Sequence, residues 1–244
     1  MEEHGHSPEE IRTRIGAPRG RGYLRDVVYG AIDGGVVVYG AIDGGVTTFA
    51  IVAGVAGAGL SPLVIVALGL ANVFADGFSM AAGNYSATKS EVDDIRRLRA
   101  VEMRHIATDP EGERREVREI LRQKGLSGDV LEEATAQITS RREPWLQMML
   151  EGEYGLGSVA PHPMRAALAT FAAFLVTGMV PLLPFLFGME NAFRASSVAT
   201  LTVFFAIGGL KSLWSLAPWW RSGLETLLIG GAAAAVAYGI GSLF

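Results

Sequence analysis

The chain has 244 residues, 21 basic and 25 acidic, a formal net charge of −4, and half of its residues are hydrophobic, with a mean hydropathy of +0.30. Cysteine is absent, which excludes disulfides, thiolate metal sites, iron–sulfur clusters and thiol nucleophiles. The acidic balance, with no basic stripe of interleaved aromatics, excludes nucleic acid as a partner.

Charge is unevenly spread along the chain. Of the 46 charged residues, 27 lie in residues 89–153, so the rest is far more apolar than the average, in blocks as a bilayer requires. Residues 1–22 read as a polar, flexible cytoplasmic tail without the apolar run of a signal peptide. Spanning the hydrocarbon takes ~20 apolar residues in a helix, and five such segments appear. They lie within residues 27–59 and at about 62–88, 164–187, 195–216 and 224–244. Pro62 and Pro163 suit the first turns of the second and third, while Pro181 and Pro184 should kink the third. The reading is an all-α polytopic membrane protein with five transmembrane helices. The segments divide the chain into the tail, spans one and two (23–89), a charged helical insert (90–155) and spans three to five (156–244).

Basic residues set the orientation. Arg12, Arg14, Arg19, Arg21, Arg25, Arg96, Arg97, Lys211 and Arg221 fall on one side of a five-span chain, against Arg194 on the other. The positive-inside rule then places the N-terminus and the insert in the cytoplasm and the C-terminus on the far side. Small residues at Gly54 and Ala58, Gly77 and Ala81, Gly208 and Gly209, and Gly230 and Gly231 read as points of close helix approach.

The insert reads as helices over about 91–107, continuous with the second span for want of a breaker, then 110–124, 129–140 and 144–154. Glu102 with His105, Glu113 with Glu116, and Met149 with Glu153 stand three or four apart, so each pair offers two donors on one helix face. Packed together, such faces could enclose one or more divalent cations with O, N and S ligands, or form a solvated charged surface, and spacing alone does not separate the two. Glu111, Arg115, Arg118, Glu119 and Arg122 read instead as a solvated ion-paired surface.

Acids within the spans are more specific. A carboxylate near mid-membrane costs at least ~2.5 kcal/mol and is seldom placed there without a task, so Asp33, Asp43, Asp76 and Met80, with Asn72 and Asn84 nearby, are candidates for a functional site, although Met80 alone would be core filler. Asp76 and Met80 share one helix face, and an Asp opposite them completes an O/S site that can exchange a metal for a proton. Asp33 and Asp43 belong to a tandem repeat: residues 27–36 and 37–46 both read VVYGAIDGGV. A ten-residue shift turns a helix face by about 80° and moves it ~15 Å, so the two acids cannot occupy equivalent places. Asp43, which leads directly into the apolar run 47–59, is the choice for the deep position, and the repeat reads equally as a duplication peculiar to the gene or as a functional device.

The run YGAIDGGVTT at 39–48, ADGFSMAAGNY at 75–85, PHPM at 161–164 and PLLP at 181–184 resemble the vacuolar iron transporter family over residues 23–244. The resemblance implies a homodimeric, proton-coupled exporter of cytosolic Fe2+, with Mn2+, Co2+ and Zn2+ as further candidate cargo and no cofactor. It assigns path roles to Asp43 and Met80. It implies a cytoplasmic metal-binding domain using Glu102, Glu113, Glu116, Met149 and Glu153, with His105 where the family commonly has Glu. Asn84 stands in place of the Glu of the usual Gly-Glu-Tyr element. The membrane would be the plasma membrane in a prokaryote and a vacuolar-type membrane in a eukaryote. A metal buffer or sensor anchored in the membrane is the alternative, against which the acids in the spans argue. An enzyme is not expected: no G-x-S-x-G, H-E-x-x-H or phosphate loop occurs, and His4, His6, His105 and His162 form no catalytic set.

Overall fold

The computed structural model describes residues 34–156, 162–214 and 216–244, and all regular structure among them is helical. In chain order the helices are α1 (Gly34–Gly57), α2 (Pro62–Thr108), α3 (Pro110–Gln123), α4 (Gly128–Thr139), α5 (Arg142–Gly152) and α6 (Pro163–Met179). A 3-10 turn at Val180–Leu182 joins α6 to α7 (Leu183–Leu186), and α8 (Ala192–Lys211) and α9 (Trp219–Gly241) follow.

Five stretches are long and apolar enough to cross a membrane: Val37–Gly57, Pro62–Thr108, Pro163–Leu186, Ala192–Lys211 and Trp219–Gly241. Their number agrees with the sequence, but some ends differ. Helix α9 starts at Trp219 rather than Leu224, because Pro218, at φ −58°, sets the chain for helix entry and the Trp219-Trp220 pair outweighs Arg221. Helix α8 starts at Ala192 and ends at Lys211, where a 3-10 turn at Ser212–Trp214 takes over. The prolines of the third span act as expected. Pro181 falls in the 3-10 turn and Pro184 in the first turn of α7, so α-helical bonding lapses after Met179 and resumes at Leu183.

Contacts within the chain sort into two compact units, one of Met1–Asn84 with Met164–Phe244 and the other of Tyr85–Pro163. Helix α2 supplies residues to both, unbroken as the absence of Gly and Pro between Thr88 and Arg104 leads one to expect.

The first unit centres on Phe49, Val52, Ala53, Val55, Ile65, Val73, Leu182, Phe204 and Ala234. Glycine lets its helices touch. A Cβ on Gly44 would sit 2.5 Å from the Phe174 carbonyl oxygen of α6, and one on Gly241 of α9 would overlap the backbone of Gly54 in α1. Gly208 and Gly230 are equally closed off, the first by the Ser222 carbonyl and the second by the Phe204 ring, whereas Gly209 and Gly231 meet only ordinary contacts.

The second unit is built on local signals. Asp109 caps α3 by accepting from the Gly112 N–H at 2.9 Å, with Pro110 in the first turn. Gly125, at φ +96°, ends it in a conformation that side chains rarely adopt. Val117 and Leu121, one turn apart on α3, pack with Leu131 of α4 and with Trp145 and Met149 of α5. Leu98 of α2 joins Leu146 and Leu150 in a second cluster. Arg99 of α2 donates to both oxygens of Glu143 at 2.8 Å, tying α2 to the start of α5.

Candidate metal centre and membrane acids

Helix α2 presents Glu102 and His105 one turn apart, and α3 presents Glu113 to the same point. One donor atom from each of the three lies within 4.8 Å of the others. His105 Nδ1 is 3.8 Å from Glu102 Oε1 and 3.6 Å from Glu113 Oε1. Both carboxylates are buried, Glu102 with 1% and Glu113 with 5% of its surface exposed, while the imidazole is half-exposed. Tyr154, just beyond α5, donates its hydroxyl to Glu102 Oε1 at 2.9 Å.

Two buried carboxylates are costly unless something compensates them. Oε2 of Glu102 and Oε2 of Glu113 are buried with no hydrogen-bond partner among the described residues. Three guanidinium groups of α3 pair away from the centre, Arg114 with Glu111 at 2.7 Å, Arg118 with Glu132 at 2.6 Å and Arg122 with Glu119 at 2.7 Å. The solvated ion-pair face is therefore real, although Glu111 pairs with Arg114 and not with Arg115. Burial, with the charges of Glu102 and Glu116 next in weight, pushes the Glu113 carboxyl up to about 7. Burial and then Glu102 and Glu116 also raise Glu153, and burial with the Glu102 hydrogen bond raises the Tyr154 phenol. The centre thus gathers acidic groups and buried acceptor atoms at one point, the electrostatic condition for holding a cation.

The other expected ligands take up different positions. Glu116 and Glu153 are exposed, and their charges reach the buried pair. Met149 is fully buried in the apolar cluster with Val117, Leu121, Leu131 and Trp145.

In the first unit, Asp43 of α1 and Asp76 and Met80 of α2 are partly buried, and the two carboxylates are near enough for their charges to interact. Asn72, Asp76 and Met80 follow at four-residue steps along one stripe of α2. Asn72 Nδ2 donates to Thr47 Oγ1 at 3.3 Å and Thr48 Oγ1 at 3.4 Å, and Thr47 Oγ1 in turn donates to the Asp43 carbonyl at 2.8 Å. These bonds fix the register of α1 against α2 beside the acids. Asn84 Nδ2 donates to Thr170 Oγ1 of α6 at 2.7 Å, so this amide pins two helices. Asp33 lies outside the described residues.

Tyr154, Thr47, Thr48 and Thr170 were not anticipated. Paired threonines four and five residues after Asp43, inside an apolar span, were a readable signal. Nothing in the spacing of Tyr154 marks it, since only the fold returns it to Glu102.

The model of the VIT family matches residues 35–242. Vacuolar iron transporter 2 of Oryza sativa subsp. japonica is 34% identical over 222 residues, covering 89% of this chain and 85% of its own length. Vacuolar iron transporter 1 of Arabidopsis thaliana is 34% identical over 220 residues, 88% of this chain and 83% of that one. The vacuolar iron transporter of Toxoplasma gondii is 34% identical over 233 residues, 91% of this chain and 74% of that one.

Proposed function

The chain belongs to the VIT family, and from that premise we propose that it is an integral-membrane transporter moving Fe2+ out of the cytosol in exchange for protons. The observation that carries this reading is the pairing, in one chain, of two kinds of acid. One is a Glu102–His105–Glu113 centre whose two carboxylates are buried, and the other is Asp43 with Asp76 on helices long and apolar enough to span a bilayer. A sensor or buffer would need only the first.

In the proposed cycle the insert, facing the cytosol, collects Fe2+ through Glu102, His105 and Glu113, with Glu116 and Glu153 as further donors. The ion then passes to Asp43, Asp76 and Met80, with Asp33 as a further path acid. Carboxylate oxygen attracts the cation and thioether sulfur favours a borderline metal over Mg2+ or Ca2+. Protons entering from the far side compete for the same oxygens and release the ion there. Mn2+, Co2+ and Zn2+ are candidate alternative cargo, and a second copy of the chain completes the path as a homodimer. The protein is a transporter and not an enzyme.

The test is Fe2+ uptake into proteoliposomes with an acidic interior. Uptake is expected to collapse when the gradient is dissipated and when Asp43 and Met80 are both replaced by Ala. Undiminished uptake in that double variant would rule out the path.

A further inference from the structure

Among the three donors of the centre His105 supplies the nitrogen, the others being carboxylate oxygens, one of which also accepts from the Tyr154 hydroxyl. Its Nδ1 stands 3.8 Å from one glutamate oxygen and 3.6 Å from the other. Ligand atoms about 2.1 Å from a tetrahedral ion are about 3.4 Å apart, whereas neighbouring ligands of an octahedral ion at that bond length are about 3.0 Å apart. The imidazole nitrogen therefore stands about 0.2–0.4 Å beyond the tetrahedral spacing from the two glutamate oxygens, and about 0.6–0.8 Å beyond the octahedral one. The half-exposed ring can close that distance. Each buried glutamate has one oxygen, Oε2, that takes no hydrogen bond among the described residues.

Nitrogen also changes which ion is preferred. Imidazole suits Zn2+, Fe2+ and their borderline neighbours, and carboxylate alone suits Mg2+, Ca2+ and Mn2+. We infer that His105 is a specificity-determining ligand that makes this centre select Zn2+, Co2+ and Fe2+ over Mn2+ and Mg2+. The inference rests on the reading of the centre as a metal site, and the two can fail separately.

The experiment is a competition titration of the full chain in detergent at one fixed pH near neutrality, with a chromophoric chelator and with Zn2+ and Mn2+ as probes. The wild type, His105→Glu, and the double variant Glu102→Gln with Glu113→Gln are compared. His105→Glu keeps a donor at the position but replaces nitrogen by oxygen, so the ratio of Zn2+ to Mn2+ affinity is expected to fall at least tenfold. The double variant is expected to weaken both ions. A ratio that falls less than tenfold in His105→Glu, while the double variant loses both ions, overturns the specificity role and leaves the metal site standing. Unchanged affinities in the double variant overturn the site and the inference with it. Should His105→Glu fail to fold, the wild-type chain with 15N-labelled histidine decides the matter. Saturating Zn2+ must displace the Nδ1 resonance of His105, and a resonance that does not move overturns the inference.

Discussion

At the scale of single residues, Glu113 is the group whose behaviour the fold alters most. An ordinary glutamate releases its proton near 4.5, and here burial and two neighbouring acids hold it until about 7. The folded state thus binds this proton more tightly than the unfolded chain does. Its contribution to stability is complete below about pH 4.5 and is lost as the pH rises through about 7. The thermal midpoint of the metal-free chain in detergent should accordingly fall between about pH 5 and about pH 8, and Glu113→Gln should flatten that slope. Added Fe2+ should restore more of the midpoint at the upper end than at the lower, since the metal then meets a carboxylate and not a carboxylic acid. Spacing alone placed Glu102 with His105, and Glu113 with Glu116, on shared helix faces, but did not separate them from a solvated charged surface. That Glu102 and Glu113 are buried while Glu116 is exposed was not, because helical spacing says which residues share a face and not which face meets another helix.

At the scale of elements, close approach is decided by which glycines face a neighbour. Gly44→Ala would press a methyl group against the Phe174 carbonyl of α6 and should cost about 1–3 kcal/mol of stability, read as a lower thermal midpoint in detergent. Gly239→Ala on α9 meets no heavy atom within 4 Å and should leave the midpoint unchanged or slightly raised. Equal effects of the two would mean that the packing of α1 on α6 is not what Gly44 serves. In the insert, Asp109→Ala removes the α3 cap and should lower stability by about 1 kcal/mol. Removing the exposed Arg118–Glu132 pair should cost less than that. Helix starts at Pro62, Pro110 and Pro163 could be read from the chain because proline and capping chemistry are local. The early start of α9 could not, because Arg221 argues against a span by composition while the helix accommodates it in its first turn.

At the scale of the whole molecule, five helices that can span a bilayer and one charged insert give the protein a direction. The absence of cysteine makes that direction easy to test. A single cysteine at Ser140 in the insert should react with a membrane-impermeant maleimide from the cytosolic side, and one at Glu190, between α7 and α8, from the opposite side. The reverse pattern would overturn the proposed orientation and with it the direction of export. What the sequence determined by itself was the division into apolar spans and a polar insert, the helical state of both, and the set of chemically capable residues. Bilayer length, helical period and proline are all properties of a few consecutive residues. Only the tertiary structure decided which of those residues meet. Glu102 and Glu113 converge with His105 because α2 and α3 are separate helices packed together, and Tyr154 reaches Glu102 from beyond α5. Asn72 meets Thr47 across two helices, and Met149 lies in the apolar core. Such meetings depend on contacts between residues far apart in the chain, where the packing of entire helices, and not local preference, sets the distance.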